Sequence, residues 1–507
     1  MVQKPAGLGT WLGYLAMCLG MFMAILDIQI VASSLPEIQA GLRIPLDALS
    51  WVQTAYLIAE IVAIPLSGWL TCLLSLRRLF LIAVIAFTLA SAGCAESNSF
   101  AMLIVFRVIQ GAAGGVMIPA TFTAIFTLFP ERQHILATAI GGLLAMMAPM
   151  LGPVIGGYIT DTYSWPWLFL INVGPGILSA AIAILLLRTP QPDPEAFEHL
   201  DLVSLALFAI SLSALEVGLK DAPDLGWTGA WPLSLFALFF IAGAGAVRRC
   251  LGRAKPLVEI RLLFERDFAA SCFYSFTLGA VLYGSVYLMA VFLGLVRLHT
   301  AFETGTIMMV AGVAQFLALP FAALLVRRVD PRLLTGFGFA MFAAGLAANG
   351  FMTWESDYDA LFWPQVLRGI GVVFCLLPTT SVALEPRQGE ALPNASALFN
   401  LMRNLGGAIW IALLDTILER RDSQVAALMQ RLHDGDPTAA AFVGLPVEAF
   451  HGQKIESLDT ISQFIDPLVQ RAAAVAAFND AWLVLGGFCA LSLLALPLLK
   501  RPGAAPP

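Results

Sequence analysis

Charge is scarce in this sequence: Asp, Glu, Lys and Arg make up 12% of its 507 residues, about half their share in a soluble globular chain. Histidine is scarcer still. The five histidines (134, 199, 299, 433 and 451) fall in connecting segments, with no His-Glu-x-x-His and no clustered ligands, which speaks against a metal site and a metal-dependent enzyme. No Gly-x-x-x-x-Gly-Lys-[Ser/Thr] loop occurs, so ATP is not expected to supply the driving force, and no cofactor is expected. Basic tracts and nucleic-acid motifs are missing too, so the net charge of −6 says little about nucleic acid. The seven cysteines (18, 72, 94, 250, 272, 375 and 489) lie in or beside apolar runs rather than in paired loop spacings, which gives no disulfide framework.

What the sequence has in excess is apolar length. Hydrophobic residues make up 59% and the mean hydropathy is +0.83. A bilayer crossing needs about 20 apolar residues, and reading for that length predicts fourteen spans. They are 11–35, 51–72, 79–96, 100–128, 135–160, 166–187, 202–219, 232–250, 268–295, 304–326, 333–352, 359–381, 395–418 and 478–499. The expectation is an all-α polytopic membrane protein. The N-terminal apolar run is too long for a signal-peptide core, so no cleavage is expected.

Basic residues set the expected orientation. With the N-terminus inside, cytoplasmic connectors hold Lys4, Arg77, Arg78, Arg132, Arg188, Arg248, Arg249 and further arginines downstream, while short outer loops keep only Arg43, Lys220 and Arg297. That bias puts both termini in the cytoplasm. Residues 419–477 form a long polar outer connector, readable either as a mobile surface loop or as a docking element for a partner.

The chain repeats itself. "IPLSGWLTCLLSLRRLFL" at 64–81 resembles "LPFAALLVRRVDPRLLTG" at 319–336, with Pro65 matching Pro320 at an offset of 255 residues (320−65). "RVIQGAAGGVMIP" likewise faces "QVLRGIGVVFCLLP", matching Gly111 to Gly369 at an offset of 258 (369−111). Parallel repeats of this kind are a transporter architecture, with substrate handled between the halves near the bilayer midplane. The expected organisation is a six-helix half at 1–200, two inserted helices at 201–255 and a second six-helix half at 256–507.

The motifs carry a resemblance. "ILDIQIVASSLP" at 25–36, "FRVIQGAAGG" at 106–115, "LGPVIGGYITD" at 151–161 with "WPWLFLINVGPG" at 165–176, and "NASALFNLMRNLGGAIWIALL" at 394–414 resemble the major facilitator superfamily. They are most similar to its fourteen-helix drug:proton antiporter branch, the EmrB/QacA type. The resemblance implies export of hydrophobic or amphipathic compounds across the bacterial inner membrane in exchange for protons, by alternating access. It also implies a periplasmic membrane-fusion protein and an outer-membrane channel as partners. A dedicated exporter of one endogenous lipid, siderophore or metabolite is the alternative. The match places Asp27 at the family's first-helix acid, Arg107 at its fourth-helix arginine, and Gly152, Pro153, Gly156 and Gly157 on its antiporter motif. One loop departs from the family: Cys72, Leu73 and Ser75 replace its usual acid, arginine and glycine between helices two and three.

Charges inside the spans are costly and mark function by default. Counting about 1.5 Å per residue from the expected helix ends, Asp27 lies about 12 Å, Glu60 about 14 Å and Arg107 about 10 Å below the outer surface. Two acids and one base in one layer leave a carboxylate free to carry a proton. A buried carboxylate resists ionisation and a neighbouring arginine favours it, so a group held between those influences suits an exchanger. The competing reading is a structural ion pair of Asp27 or Glu60 with Arg107. Arg107 stays protonated and is read as a tuner rather than a proton carrier. Arg368, Arg403 and Asn400 are candidates for substrate contact or support, with helix packing as the alternative. Glu216 and Asp415 read as anchors near outer helix ends.

Overall fold

The structure, a computed structural model, describes residues 6–32, 35–42, 51–188, 201–253, 256, 258–326, 328–387, 391–419, 421–445 and 462–499. Lys4, Arg43 and residues 446–461 of the long connector lie outside this set, as does the side chain of Pro153. All regular structure among the described residues is helical, as expected where backbone polar groups have no water to satisfy them.

The spanning elements are α1 (Leu8–Ala32), α3 (Trp51–Leu74), α4 (Leu76–Ala95), α5 (Phe100–Leu128), α6 (Glu131–Thr162) and α8 (Val173–Leu186). Two short helices stand between them, α2 (Leu35–Leu42) and α7 (Trp167–Leu170). Then follow α9 (Leu202–Leu225), α10 (Ala230–Gly252), α11 (Arg266–Leu295), α12 (Ala301–Val326), α13 (Pro331–Asn349), α14 (Tyr358–Leu384) and α15 (Ala391–Glu419). The chain ends with α16 (Arg421–His433), α17 (Pro437–Val443) and α18 (Ser462–Ser492). Thirteen of the described helical stretches are long and apolar enough to cross a membrane. The fourteenth expected span, 135–160, lies within the 32-residue α6, long enough to cross as well. Consecutive spans alternate direction, so the bundle has a near face, where α1 begins, and a far face, where it ends.

Side-chain caps start several of these helices. Ser99 accepts from Met102 N at the start of α5, and Asp330 accepts from Arg332 N at the start of α13. Each satisfies a backbone donor that the first turn leaves open. Asp201 does the same for α9 and also ties down the adjoining α10, through Arg249 at 3.0 Å and Arg253 at 3.1 Å. Burial pushes the Asp201 carboxyl up, but the bonds from Arg249 and Ser204 win and hold it below the usual carboxylate range.

Helix contacts are closest where glycine permits them. A Cβ on Gly111 would lie 2.2 Å from Tyr56 O, and one on Gly115 would lie 2.3 Å from Glu60 O. Two glycines a helical turn apart thus let α5 lie directly on the backbone of α3. Gly369 makes the matching approach to Ala311 O at 2.2 Å. The two contacts are equivalent under the repeat, because Gly111 maps to Gly369 and Tyr56 to Ala311 at the offsets of 258 and 255 (311−56) found in the sequence.

Two sequence expectations change here. The last span does not begin near residue 478: α18 starts at Ser462. Its first turns pack with α16 and α17 around Leu428, Leu432, Ala440, Val443, Val469 and Ala473, because apolar positions at helical spacing in the polar connector find one another. The described part of that connector is folded. The second change is in α9, which runs to Leu225 rather than ending near 219.

The atypical loop between α3 and α4 keeps the backbone of a glycine without having one. Ser75 adopts φ 68°, ψ 153°, a region that is essentially glycine territory and costs other residues about 1–3 kcal/mol. Ser75→Gly is therefore expected to raise the stability of the detergent-solubilised chain by about 1 kcal/mol, read as a higher melting temperature. An unchanged or lower one would show that the serine side chain compensates the strain.

Candidate functional site

The charge layer expected from helix arithmetic is present as a bonded network around Asp27. Asp27 and Arg107 are fully buried, and Arg107 Nη1 donates to Asp27 Oδ2 in an ion pair. Asp27 Oδ1 accepts from Gln110 Nε2 at 2.9 Å and from Asn172 Nδ2 at 2.8 Å. Gln110 accepts from Arg107 at 2.8 Å and donates to Ser91 Oγ at 2.9 Å. Arg107 Nε donates to Val52 O at 2.9 Å, and the guanidinium stands 4.4 Å from the Tyr56 ring centre. Arg107 Nη2 has no hydrogen-bond partner among the described residues. The pair is thus held by α1, α3, α4, α5 and the segment joining α7 to α8. Charge-assisted bonds of this kind are about twice as strong as neutral ones, and both carboxylate oxygens are occupied.

Glu60 is different. It is 4% exposed and within electrostatic range of Arg107, Asp27 and Glu216. Its carboxylate has no hydrogen bond or ion pair among the described residues. The structure therefore brings Asp27 and Arg107 into contact and leaves Glu60 beside them unbonded.

Gln110, Ser91 and Asn172 were not singled out from the sequence. Gln110 follows Arg107 by three residues on one helix and so shares its face, a signal that was available. Asn172 reaches the site only through the fold.

The other candidates lie apart from this network. Arg368 Nη1 donates to Gln365 Oε1 at 2.7 Å and Nη2 donates to Ser285 Oγ at 2.6 Å, while Nε has no partner. This is the repeat of the Asp27 site with its carboxylate replaced by a hydroxyl and its arginine kept. The offset of 258 takes Arg107 to Gln365, Gln110 to Arg368 and Asp27 to Ser285 (365−107, 368−110, 285−27). Arg403 is buried between the rings of Phe122, at 5.2 Å, and Phe399, at 5.4 Å, with Nε and Nη2 unpartnered. Asn400 donates to Ser396 O at 2.9 Å, one turn back. It does not bond Arg403.

The antiporter-motif segment packs on two helices. A Cβ on Gly152 would lie 2.3 Å from Gln29 Cβ of α1, and one on Gly305 of α12 would lie 1.6 Å from Val154 Cγ2. Gly156 and Gly157 are buried one turn on. The segment is thus a tight seam between α1 and α12, a packing arrangement without ligand chemistry.

A bundle of apolar helices long enough to cross a membrane, with a charge network buried among them, is the build of a polytopic membrane protein. The chain belongs to the Major Facilitator Superfamily, whose sequence profile matches residues 17–411. The colistin resistance protein EmrB of Acinetobacter baumannii is 38% identical over 411 residues, covering 81% of this chain and 80% of that protein. The multidrug export protein EmrB of Escherichia coli is 29% identical over 505 residues, covering 99% of this chain and 97% of its own. The crystal structure of the human organic anion transporter MFSD10 has the same fold: TM-score 0.60 at 13% identity, covering 96% of this chain and 99% of that one. The protein is a transporter rather than an enzyme.

Removing one partner of a buried ion pair leaves an uncompensated charge, which costs about 3–5 kcal/mol. Arg107→Gln is expected to destabilise the protein by that amount in detergent unfolding. Asp27→Asn with Arg107→Gln together should cost clearly less than the sum of the two single changes. Additive losses would mean that the two residues do not depend on each other.

Proposed function

We infer that the protein is a proton-coupled exporter of hydrophobic or amphipathic compounds that works by alternating access in the bacterial inner membrane, with both termini in the cytoplasm. The supporting observation is the arrangement of one neutralised acid–base pair with one unbonded buried acid beside it. The names of its EmrB relatives point the same way. In this reading residues 1–200 and 256–507 are the two moving halves, and 201–255 is the insertion. Glu60 exchanges its proton directly. Asp27 exchanges only when Arg107 releases it, so its protonation reports on, and biases, the position of α1 against α5. Arg368, Arg403 and Asn400 line the other half of the path, and the Gly152–Gly157 segment sets the seam on which α1 and α12 slide.

The folded connector of α16, α17 and the start of α18 is, in this reading, a docking platform for a periplasmic membrane-fusion protein that leads to an outer-membrane channel. Replacing residues 421–461 with a flexible linker should leave proton exchange in vesicles intact while abolishing resistance in whole cells. Loss of both together would make the connector a structural element.

The coupling itself is tested in proteoliposomes loaded with amphipathic compounds. An imposed pH gradient should raise transport several-fold over its protonophore-treated control, and equal transport in both would sink the proton-driven reading. Asp27→Asn keeps the side-chain shape and removes the proton site. It should reach the membrane at near-normal levels and lose substrate-induced proton release. Wild-type export and proton release in that variant would leave Asp27 as an ion-pair partner only.

A further inference from the structure

The reading of Glu216 as an interfacial anchor depends on a helix that stops near residue 219. Because α9 continues to Leu225, Glu216 stands nine residues from its far end (225−216), about 14 Å into the bundle. Glu60 stands nine residues from Trp51 (60−51), the far end of the antiparallel α3. The two acids share one depth.

Their helices also touch. Leu212, one turn before Glu216, packs with Ile61 and Ile64 of α3 and with Leu401 of α15. Leu215 and Leu219 pack against Ala412 of α15. Positions 212, 215, 216 and 219 form one helical face, so Glu216 belongs to the face turned toward the seam between α3 and α15. It lies within electrostatic range of Glu60.

Neither acid is neutralised among the described residues. The cation one turn from Glu216, Lys220, is held 3.2 Å from Asp221 and lies 5.6 Å from the Trp51 ring centre. An isolated buried carboxylate is costly unless something pairs with it, and Glu60 is more than nine-tenths buried at this seam. Tyr283 of α11 is within range of both Glu60 and Arg403, and its hydroxyl makes no hydrogen bond among the described residues.

We propose that Glu216 is the second carboxylate of the Glu60 site, so that the inserted helix pair helps to seat a positively charged group. That group is a proton, or the onium head of an amphipathic cation lying against the Tyr283 ring. The proposal rests on the exporter reading and adds a substrate-contacting role for the insertion. One cation relieves the repulsion of two carboxylates at once, so proton and organic cation compete for one seat. The other groups facing it are Tyr56 of α3, Asp27 of α1 with Arg107 of α5, which neutralise each other, and Arg403 of α15.

Equilibrium binding of tetraphenylphosphonium to the purified full chain at pH 6 and pH 8 tests this independently of transport. The wild-type protein is expected to bind more tightly at pH 8, where protons compete less. Glu216→Gln should weaken binding at pH 8 about tenfold, the loss of one charge-assisted contact, and should narrow the difference between the two pH values. Glu216→Asp should recover most of both, which a purely structural role would not require. Wild-type affinity and pH dependence in a folded Glu216→Gln protein would overturn the assignment, as would a wild-type chain that binds no cation. Gradient-driven transport of a neutral amphipathic compound in the same preparations separates the two readings. If the wild-type chain binds the cation through Glu216 yet moves nothing, the exporter reading fails and the seat stands.

Discussion

The interaction on which the rest of the bundle depends is the ion pair of Asp27 with Arg107. Both side chains are fully buried, and taking two charges out of water is repaid only by close geometry and full satisfaction of the remaining lone pairs and protons. The surrounding sequence answers that demand. Gln110 and Asn172 complete the carboxylate, Val52 O takes Arg107 Nε, and the Tyr56 ring covers the guanidinium. Supplying these groups requires the segments carrying them to stay in fixed register, so the pair acts as a reference point for the packing of α1, α3, α4 and α5. A movement that separates α1 from α5 must first find another partner for each charge.

Close backbone packing does the complementary work. Where α5 lies on α3 through Gly111 and Gly115, side chains are excluded and the helices behave as one rigid unit. The matching contact of Gly369 with Ala311 ties α14 to α12 in the same way. α9 packs where α3 meets α15. That helix is therefore not peripheral to the bundle: Leu212 touches Ile61 and Ile64, next to Glu60.

Much of this was readable in the residues. Apolar length alone located the spans, since a bilayer leaves few other options, and helix arithmetic put Asp27, Glu60 and Arg107 in one layer. The repeat announced the matched Gly111 and Gly369 contacts. What stayed hidden depended on tertiary choice or on polar residues continuing a helix. Asn172 joins the site from 145 positions away. The end of α9 at Leu225 runs through Lys220, Asp221 and Pro223, which read as a loop because charge and proline ordinarily stop a span. That misplacement made Glu216 look superficial. The start of α18 at Ser462 was missed for the same reason, its first turns being as polar as the connector before them.

The repeat has preserved a shape and discarded a charge. Ser285 stands where Asp27 would, and the order of arginine and glutamine is reversed between Arg107–Gln110 and Gln365–Arg368. The first half thus holds a balanced pair plus the acid of Glu60. The second holds Arg368 and Arg403, with no carboxylate bonded to either among the described residues. When Glu60 is ionised, these buried groups of the two sequence repeats therefore differ in sign.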